Sequence, residues 1–445
     1  MKLLCLSNGH GEDVIAVRIL RQLQQLPYPL EIFALPIVGE GYAYQQLENV
    51  AIIGPVQPMP SGGFIYMDGR QLFRDVKSGL LQLTWSQDQA IREWTKSAGS
   101  NLAILAVGDI VPLLFAWRSG LPYAFVGTAK SEYYLQDESG PLASLSSSQT
   151  WAGWGGSVYQ PWEQWLMRHR RCRVVFPRDQ LTAKNLQRLS IPALDLGNPM
   201  MDDLEPDYPI PALSTLNGQS SDRRRSLIIT LLPGSRAPEA YGNWQVILEG
   251  VAGILEKFHR SSLVFLGAIA PALNLEALEQ VLEVWGWQKS EPPGSASGRS
   301  IIRTLVASGL GETLDFKLQP SEVTLTQKNA TMILTQRAFN ECLHRGDLAI
   351  AMAGTATEQF VGLGKPAITL PGQGPQFTPA FAEAQSRLLG PSVIPVKQPS
   401  KVVHAIQYLL SHRDRWEVIA ENGRRRMGVP GASRRIAQCL VQKLW

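Results

Sequence analysis

Four short stretches of this 445-residue chain join residue types capable of chemistry to elements that can hold them in place. The first is Gly354-Thr355-Ala356-Thr357-Glu358, which follows the apolar run 348–351. A buried strand that breaks at glycine into small hydroxyl residues and a helix presents free backbone N–H groups at the positive end of the helix dipole, a setting that suits a phosphate. Glu358, one turn into that helix, is placed to accept hydrogen bonds from a ribose diol. The same residues also fit a plain cap, with Thr355 or Thr357 as N-cap and Glu358 favouring the dipole. The second stretch is Pro233-Gly234-Ser235-Arg236 after the apolar run 227–232. Its arginine is a fixed cation able to fork onto a diphosphate, so the two turns together suit a nucleoside diphosphate. The third is Asp109, directly beyond the apolar run 102–107. Its carboxylate could take a proton from a hydroxyl or cap the helix that Pro112 opens. The fourth is Ser7-Asn8-Gly9-His10-Gly11 after the apolar start 2–6. Gly9 and Gly11 let a ligand approach the backbone closely, and His10, between two glycines, is seldom a core residue and is a candidate for a functional role.

Leu232-Pro233-Gly234-Ser235-Arg236 followed by Ala353-Gly354-Thr355-Ala356-Thr357-Glu358 resembles lipid-A-disaccharide synthase. More broadly, the chain is similar to the two-domain glycosyltransferases that include the lipid II N-acetylglucosaminyltransferase, whose loop histidine His10 resembles. The likeness spans nearly the whole chain and is most specific in its second half. It implies an α/β protein of two Rossmann-like domains facing a cleft, the glycosyltransferase B arrangement. The donor it implies is a UDP-sugar, a substrate rather than a cofactor, held in the second domain by Gly234, Ser235, Arg236, Gly354, Thr355, Ala356, Thr357 and Glu358. Gln376 and Gln385, in the loop and helix after the strand at 365–370, would face the donor sugar; capping and surface roles fit them equally. The acceptor, lipid-linked or a glycolipid, would meet Gly9, Gly11, Lys130 and Glu132 in the first domain, although a surface loop also accounts for Lys130 and Glu132. The implied reaction is an inverting displacement without a metal, with Asp109 or His10 as base. The sequence departs from lipid-A-disaccharide synthase at His10 and around Asp109, which leaves the acceptor open. A nucleotide-sugar 2-epimerase of the same fold and a non-catalytic nucleotide-sugar-binding protein are the alternatives.

A chain of this length exceeds one core, and the pattern divides it into a first domain at 1–204, a linker rich in proline and serine at 205–223, and a second domain at 224–431. The last helix, 432–445, returns to the first domain as it does in the resembled fold. A hydrophobic share of 44% with 18% charged residues describes a folded chain, and a net charge of +4 gives little support to a nucleic-acid partner. The four cysteines lie far apart, without paired spacing for zinc or a disulfide framework. No signal peptide or run of about 18 apolar residues is visible, so a cytoplasmic location is expected. Trp151, Trp154, Trp162 and Trp165 beside Arg168-His169-Arg170-Arg171 suit docking on the inner face of an anionic membrane; aromatics packed beneath a solvated basic helix fit the same residues. The oligomeric state is open, a homodimer included. Alternation between 316 and 335 predicts short strands or a hairpin, and periodicity from 14 to 26 predicts the first helix.

Overall fold

Apolar runs bounded by glycine or turn residues become parallel strands covered on both faces. The structure, a computed structural model, describes residues 1–57, 80–142, 156–206, 226–289, 302–306, 313–317, 323–372, 374 and 377–445, with backbone alone for His10, Leu80, Leu81, 302–306 and 313–317. These residues form two units, Met1–Asp202 with Met427–Trp445, and Asp203–Arg426. The expected linker at 205–223 lies almost wholly outside the described residues, as do Gln376, Trp151 and Trp154.

The first unit is built on β1 (Lys2–Ser7), β2 (Glu31–Pro36), β3 (Val50–Ile52), β4 (Leu102–Gly108), β5 (Tyr123–Gly127) and β8 (Cys172–Pro177), parallel in the order β3-β2-β1-β4-β5-β8; β6 (Gln136–Asp137) and β7 (Gly140–Pro141) form a small separate hairpin. Side chains alternate across the sheet. Leu4, Leu6, Ile104, Ala106 and Phe125 pack on one face, and Leu3, Cys5, Leu105, Val107 and Val126 on the other. The first face is covered by α2 (Leu80–Ser97), α3 (Ile110–Arg118), α4 (Pro161–Arg168) and α5 (Gln180–Arg188), which contribute Ile91, Leu113, Leu166 and Leu186 to its core. The second is covered by α1 (His10–Gln24) and by the final helix at 432–444, through Ile19, Leu20, Ile436 and Leu440. Asp202 fixes the start of that final helix by accepting from the N–H groups of Gly431, Ala432 and Ser433.

The second unit carries β9 (Leu227–Leu232), β10 (Leu263–Ala268), β11 (Gln288–Lys289), β14 (Val323–Gln327), β15 (Ala330–Thr335), β16 (Leu348–Ala351), β17 (Ala367–Thr369) and β18 (Val393–Pro395) in the order β11-β14-β15-β10-β9-β16-β17-β18. The strands β12 (Ile302–Val306) and β13 (Thr313–Lys317) pair with each other. Only the pairs β14–β15 and β11–β14 of the large sheet are antiparallel; the hairpin is the one the alternation predicts. The helices are α6 (Glu239–Lys257), α7 (Leu275–Val284), α8 (Phe339–Arg345), α9 (Thr355–Gly362), α10 (Pro379–Leu389), α11 (Val402–Ser411) and α12 (Asp414–Met427), with α13 (Ala432–Leu444) closing the chain. Trp244 on α6 is fully buried at the centre of the core and donates its indole N–H to Leu278 O.

Both units share one topology. Strand order reverses between β1 and β4 in the first, and between β9 and β16 in the second, the switch points of a Rossmann-like sheet, beside whose carboxyl ends such folds bind ligands. Among the described residues, no helix is long and apolar enough to cross a membrane.

Candidate functional site

In the second unit the turn after β9 and the turn after β16 are neighbours because their strands are paired, Leu231 beside Ile350 and Leu232 beside Ala351. Pro233, Gly234, Ser235 and Arg236 leave the first strand, with Ser235 exposed and Arg236 half-buried. Gly234 has φ +101°, and a Cβ there would stand 3.4 Å from Met352 O, so glycine lets the turn lie against its neighbour. After β16, Gly354 is the N-cap of α9 and no side chain caps it. The Thr357 hydroxyl donates back to Ala353 O at 2.6 Å, which corrects the expected threonine cap. Thr355 is exposed and Ala356 half-buried, while Glu358 is buried within the first turn of α9.

Side chains from behind collect the carbonyls of both turns. Asn243 on α6, which sequence reasoning did not single out, donates Nδ2 to Pro233 O at 3.0 Å and to Met352 O at 3.3 Å. Gln385 on α10 donates Nε2 to Ala353 O at 3.2 Å and to Gly354 O at 3.1 Å. The Gln385 Nε2 expected to meet a sugar is therefore committed to backbone, and the Gln385 Oε1, buried, has no protein partner. Glu239, at the start of α6, accepts from Phe377 N at 2.6 Å and anchors the loop after β17. The arrangement leaves two glycine turns, one carrying an arginine, at the switch point of the sheet.

In the first unit the turns after β1 and β4 meet in the same way. Gly108, with φ +134°, brings its Cα so close to Asn8 that an added Cβ would lie 2.8 Å from the Asn8 Cβ and 3.4 Å from the Glu12 Cγ. Asp109 caps α3 by accepting from Val111 N at 2.9 Å, so the capping role is present. Its carboxyl is nevertheless pushed up to about 6, chiefly by burial and further by the Glu12 and Glu163 carboxylates, against the Val111 and Asn8 hydrogen bonds. A buried carboxyl that releases its proton near neutrality is fit for general-base work. Burial likewise pushes Asp13 up to about 7, helped by Glu12 and opposed by the Ser7 hydroxyl, which donates to Asp13 Oδ1 at 2.5 Å. Glu12 itself accepts from the Thr128 hydroxyl beyond β5 at 3.2 Å. Its only sequence signal was an acidic residue in the turn Gly9–Asp13.

The glycine turn is shorter than periodicity predicts. Helix α1 starts at His10, not Val14, with Gly9 as N-cap and Glu12 and Asp13 in its first turn, where acidic residues favour the dipole. Gly11 lies in that turn, exposed, with nothing within 4 Å of an added Cβ. Lys130 pairs with Glu163 at 2.5 Å, and Glu163 also closes the capping box of α4. Glu132 is buried and accepts from Ser157 Oγ, from Val158 N at 3.0 Å and from Gln136 Nε2 at 3.1 Å. It is an internal strut, which corrects the plain surface loop offered as the alternative for it. Among the described residues, no group of three or more His, Cys, Asp or Glu is placed to hold a metal ion.

The described part of the aromatic–cationic segment is partly exposed and partly packed. Trp162 and Trp165 are exposed on α4, yet Trp165 also packs edge-on against Trp117 with centroids 5.2 Å apart. Arg168 donates to Leu189 O at 2.6 Å and Arg171 to Trp117 O at 2.9 Å, so both are tied to backbone, whereas Arg170 is exposed. Trp85 on α2 is 68% exposed, one turn before Asp88, and Leu114 on α3 is exposed one turn before Arg118; Asp88 and Arg118 pair at 2.9 Å.

No family model matches the chain, and no curated protein matches it. Solved structures resemble it along its whole length. The calicheamicin glycosyltransferase CalG4 superposes with a TM-score of 0.55 at 11% identity, over 100% of this chain and 98% of that one. MurG from Acinetobacter baumannii gives 0.53 at 14% identity, over 99% of each chain. The UDP-GlcNAc 2-epimerase from Neisseria meningitidis, bound to UDP-GlcNAc, gives 0.52 at 14% identity, over 99% of this chain and 100% of that one. At these identities the likeness is one of architecture, and the chain has the glycosyltransferase B fold, two Rossmann-like domains in one polypeptide.

Proposed function

We propose that the protein is a glycosyltransferase that moves a sugar from a UDP-sugar to a lipid-linked or glycolipid acceptor at a membrane surface, in the manner of lipid-A-disaccharide synthase. The observation that carries this reading is that each unit gathers the required chemistry at its own switch point: an arginine and a helix N-terminus in one, a carboxyl poised near neutrality in the other. In the proposed reaction Asp109 accepts the proton of an acceptor hydroxyl as its oxygen bonds to the anomeric carbon with inversion. The bond from that carbon to the diphosphate breaks, its electron pair leaves with UDP, and Arg236 with the N–H groups at Gly354, Thr355, Ala356 and Thr357 stabilises the charge. Glu358 is assigned to the ribose and Ser235 to the diphosphate. His10 is the alternative base. Exposed Trp85, Leu114, Trp162, Trp165 and Arg170 support the membrane-side acceptor, as exposed apolar side chains and a cation suit an anionic interface.

The likeness to a UDP-GlcNAc 2-epimerase keeps a second reading in view. A thermal-shift screen of UDP-sugars tests the donor, since a ligand at a hundred times its dissociation constant adds about 2.7 kcal/mol of stability. Incubating the stabilising UDP-sugar with and without a membrane lipid extract then separates the reactions. Lipid-dependent release of UDP supports transfer, acceptor-free formation of an epimer makes the protein an epimerase, and a screen without any stabilising UDP-sugar removes both.

A further inference from the structure

We infer that Asn243 is the positioning residue that turns the two glycine loops of the second unit into a diphosphate site, an inference that rests on the UDP-sugar reading above. An anion site made of backbone must present N–H groups and keep carbonyl oxygens away, because each carbonyl carries partial negative charge. Two side chains divide that task here. Asn243 Nδ2 takes Pro233 O from the turn after β9 and Met352 O from the turn after β16, residues 10 and 109 positions away in sequence. Gln385 Nε2 takes the next two carbonyls, Ala353 O and Gly354 O.

Asn243 differs from Gln385 in bridging two turns that no covalent segment holds together. Its Nδ2 lies 3.9 Å from where a Cβ on Gly234 would stand, and its Oδ1 is 3.1 Å from the corresponding point on Gly372, so the loop after β17 packs on the same carboxamide. A single group, 4% exposed, therefore touches all three loops at the switch point, in addition to the β9–β16 pairing that brings two of them together. The buried Oε1 of Gln385 at the same turn has no protein partner; as an acceptor it suits a hydroxyl of the donor sugar and not the diphosphate, which brings no hydrogen.

The test uses the full chain and measures affinity for UDP by calorimetry and for uridine by ligand-observed NMR. Asn243→Leu keeps the approximate volume and removes the donors. It is expected to weaken UDP about tenfold or more while uridine affinity changes by less than about twofold, because only the phosphate-facing geometry is lost. Asn422→Leu is the control. Asn422 is also buried and donates to Leu389 O and Ser392 Oγ on the far side of α10, so its loss lowers the unfolding temperature without changing the ratio of UDP to uridine affinity. Should Asn243→Leu fail to fold, Asn243→Ser, which retains one donor, carries the same comparison. Unchanged UDP affinity, or equal losses for UDP and uridine, overturns the inference. Wild-type protein that binds neither ligand overturns the donor reading itself, and the inference with it.

Discussion

Asp109→Asn separates a base from a cap because it removes the charge and keeps the shape. The Asp109 carboxyl holds its proton to about 6 in the folded chain, against an ordinary 3.8. As pH rises from 3.8 to about 6 the unfolded chain has already released this proton and the folded chain has not, so the folded state loses stability across that window and the loss is complete above it. At about 1.4 kcal/mol for each pH unit, the stability lost through this group is about 3 kcal/mol at pH 8 and roughly half of that at pH 5. Asparagine is neutral at every pH and accepts from Val111 N as well as aspartate does. What it forfeits is the charge at the α3 N-terminus, worth about 0.3–1 kcal/mol, so burial outweighs the dipole. The variant is expected to be more stable than wild type by about 2 kcal/mol at pH 8, with a smaller gain at pH 5, read from urea-dependent exchange of the β4 and β5 amides. Its transfer activity, measured as lipid-dependent UDP release, should fall roughly 10²–10⁴-fold with UDP affinity unchanged. Stability that is equal or lower at pH 8 would refute the burial argument, and near-normal transfer would pass the base role to His10.

Further expectations follow from the same geometry. Glu12 raises Asp109 by its charge, so Glu12→Gln should move the acid limb of the transfer rate to lower pH; a limb that stays near 6 removes the coupling. Arg236→Ala and Glu358→Ala should each weaken UDP-sugar binding by about 1.5–3 kcal/mol in calorimetry, and unchanged affinity in both variants removes the donor assignment. For the membrane, Trp85→Gln, Trp162→Gln and Arg170→Gln combined should abolish flotation with anionic vesicles, Arg170 contributing about 1 kcal/mol. Replacing Arg168 or Arg171 would instead remove a side-chain donor from Leu189 O or Trp117 O, so those variants report on folding. Equal flotation of wild type and the combined variant leaves the exposed tryptophans as surface.

Long apolar runs were legible because burial on both faces leaves no polar alternation to confuse them. The run at 102–107 is β4, the run at 348–351 is β16, and the alternation around Lys328 and Asn329 is the β14–β15 hairpin. Among the strands that escaped sequence reasoning are Val50–Ile52 and Val393–Pro395, three residues each, both at the edge of their sheets. Three residues carry neither period, and an edge strand is specified by its neighbour more than by its own side chains. The start of α1 was misplaced by one turn for a related reason. Glycine at 9 and 11 reads locally as a loop, yet Gly9 only caps the helix and Gly11 lies inside it, where Asp13 N bonds to Gly9 O at 2.7 Å.

The site divides along the same line. Residues that a ligand would touch sit at strand ends, where glycine, hydroxyl and charged types interrupt an apolar run, so Gly234, Arg236, Gly354 and Asp109 stand out in the sequence. Residues that hold those ends together come from elements distant in the chain and look ordinary where they occur. Asn243 is one polar residue on an amphipathic helix, and Glu163 is one acid in a first helical turn. Nothing in the local pattern says that the first reaches a carbonyl 109 positions away, or that the second pairs with Lys130 while its charge helps raise Asp109. Such roles arise only when the sheet order fixes which turns are neighbours. In both units that order is set by the reversal between the first and fourth strands of the Rossmann-like set. Moving Asp109 by one residue along its turn would keep the sequence pattern and lose both the Val111 cap and the Asn8 contact, which is why spacing finds the carboxylate and only topology explains its proton.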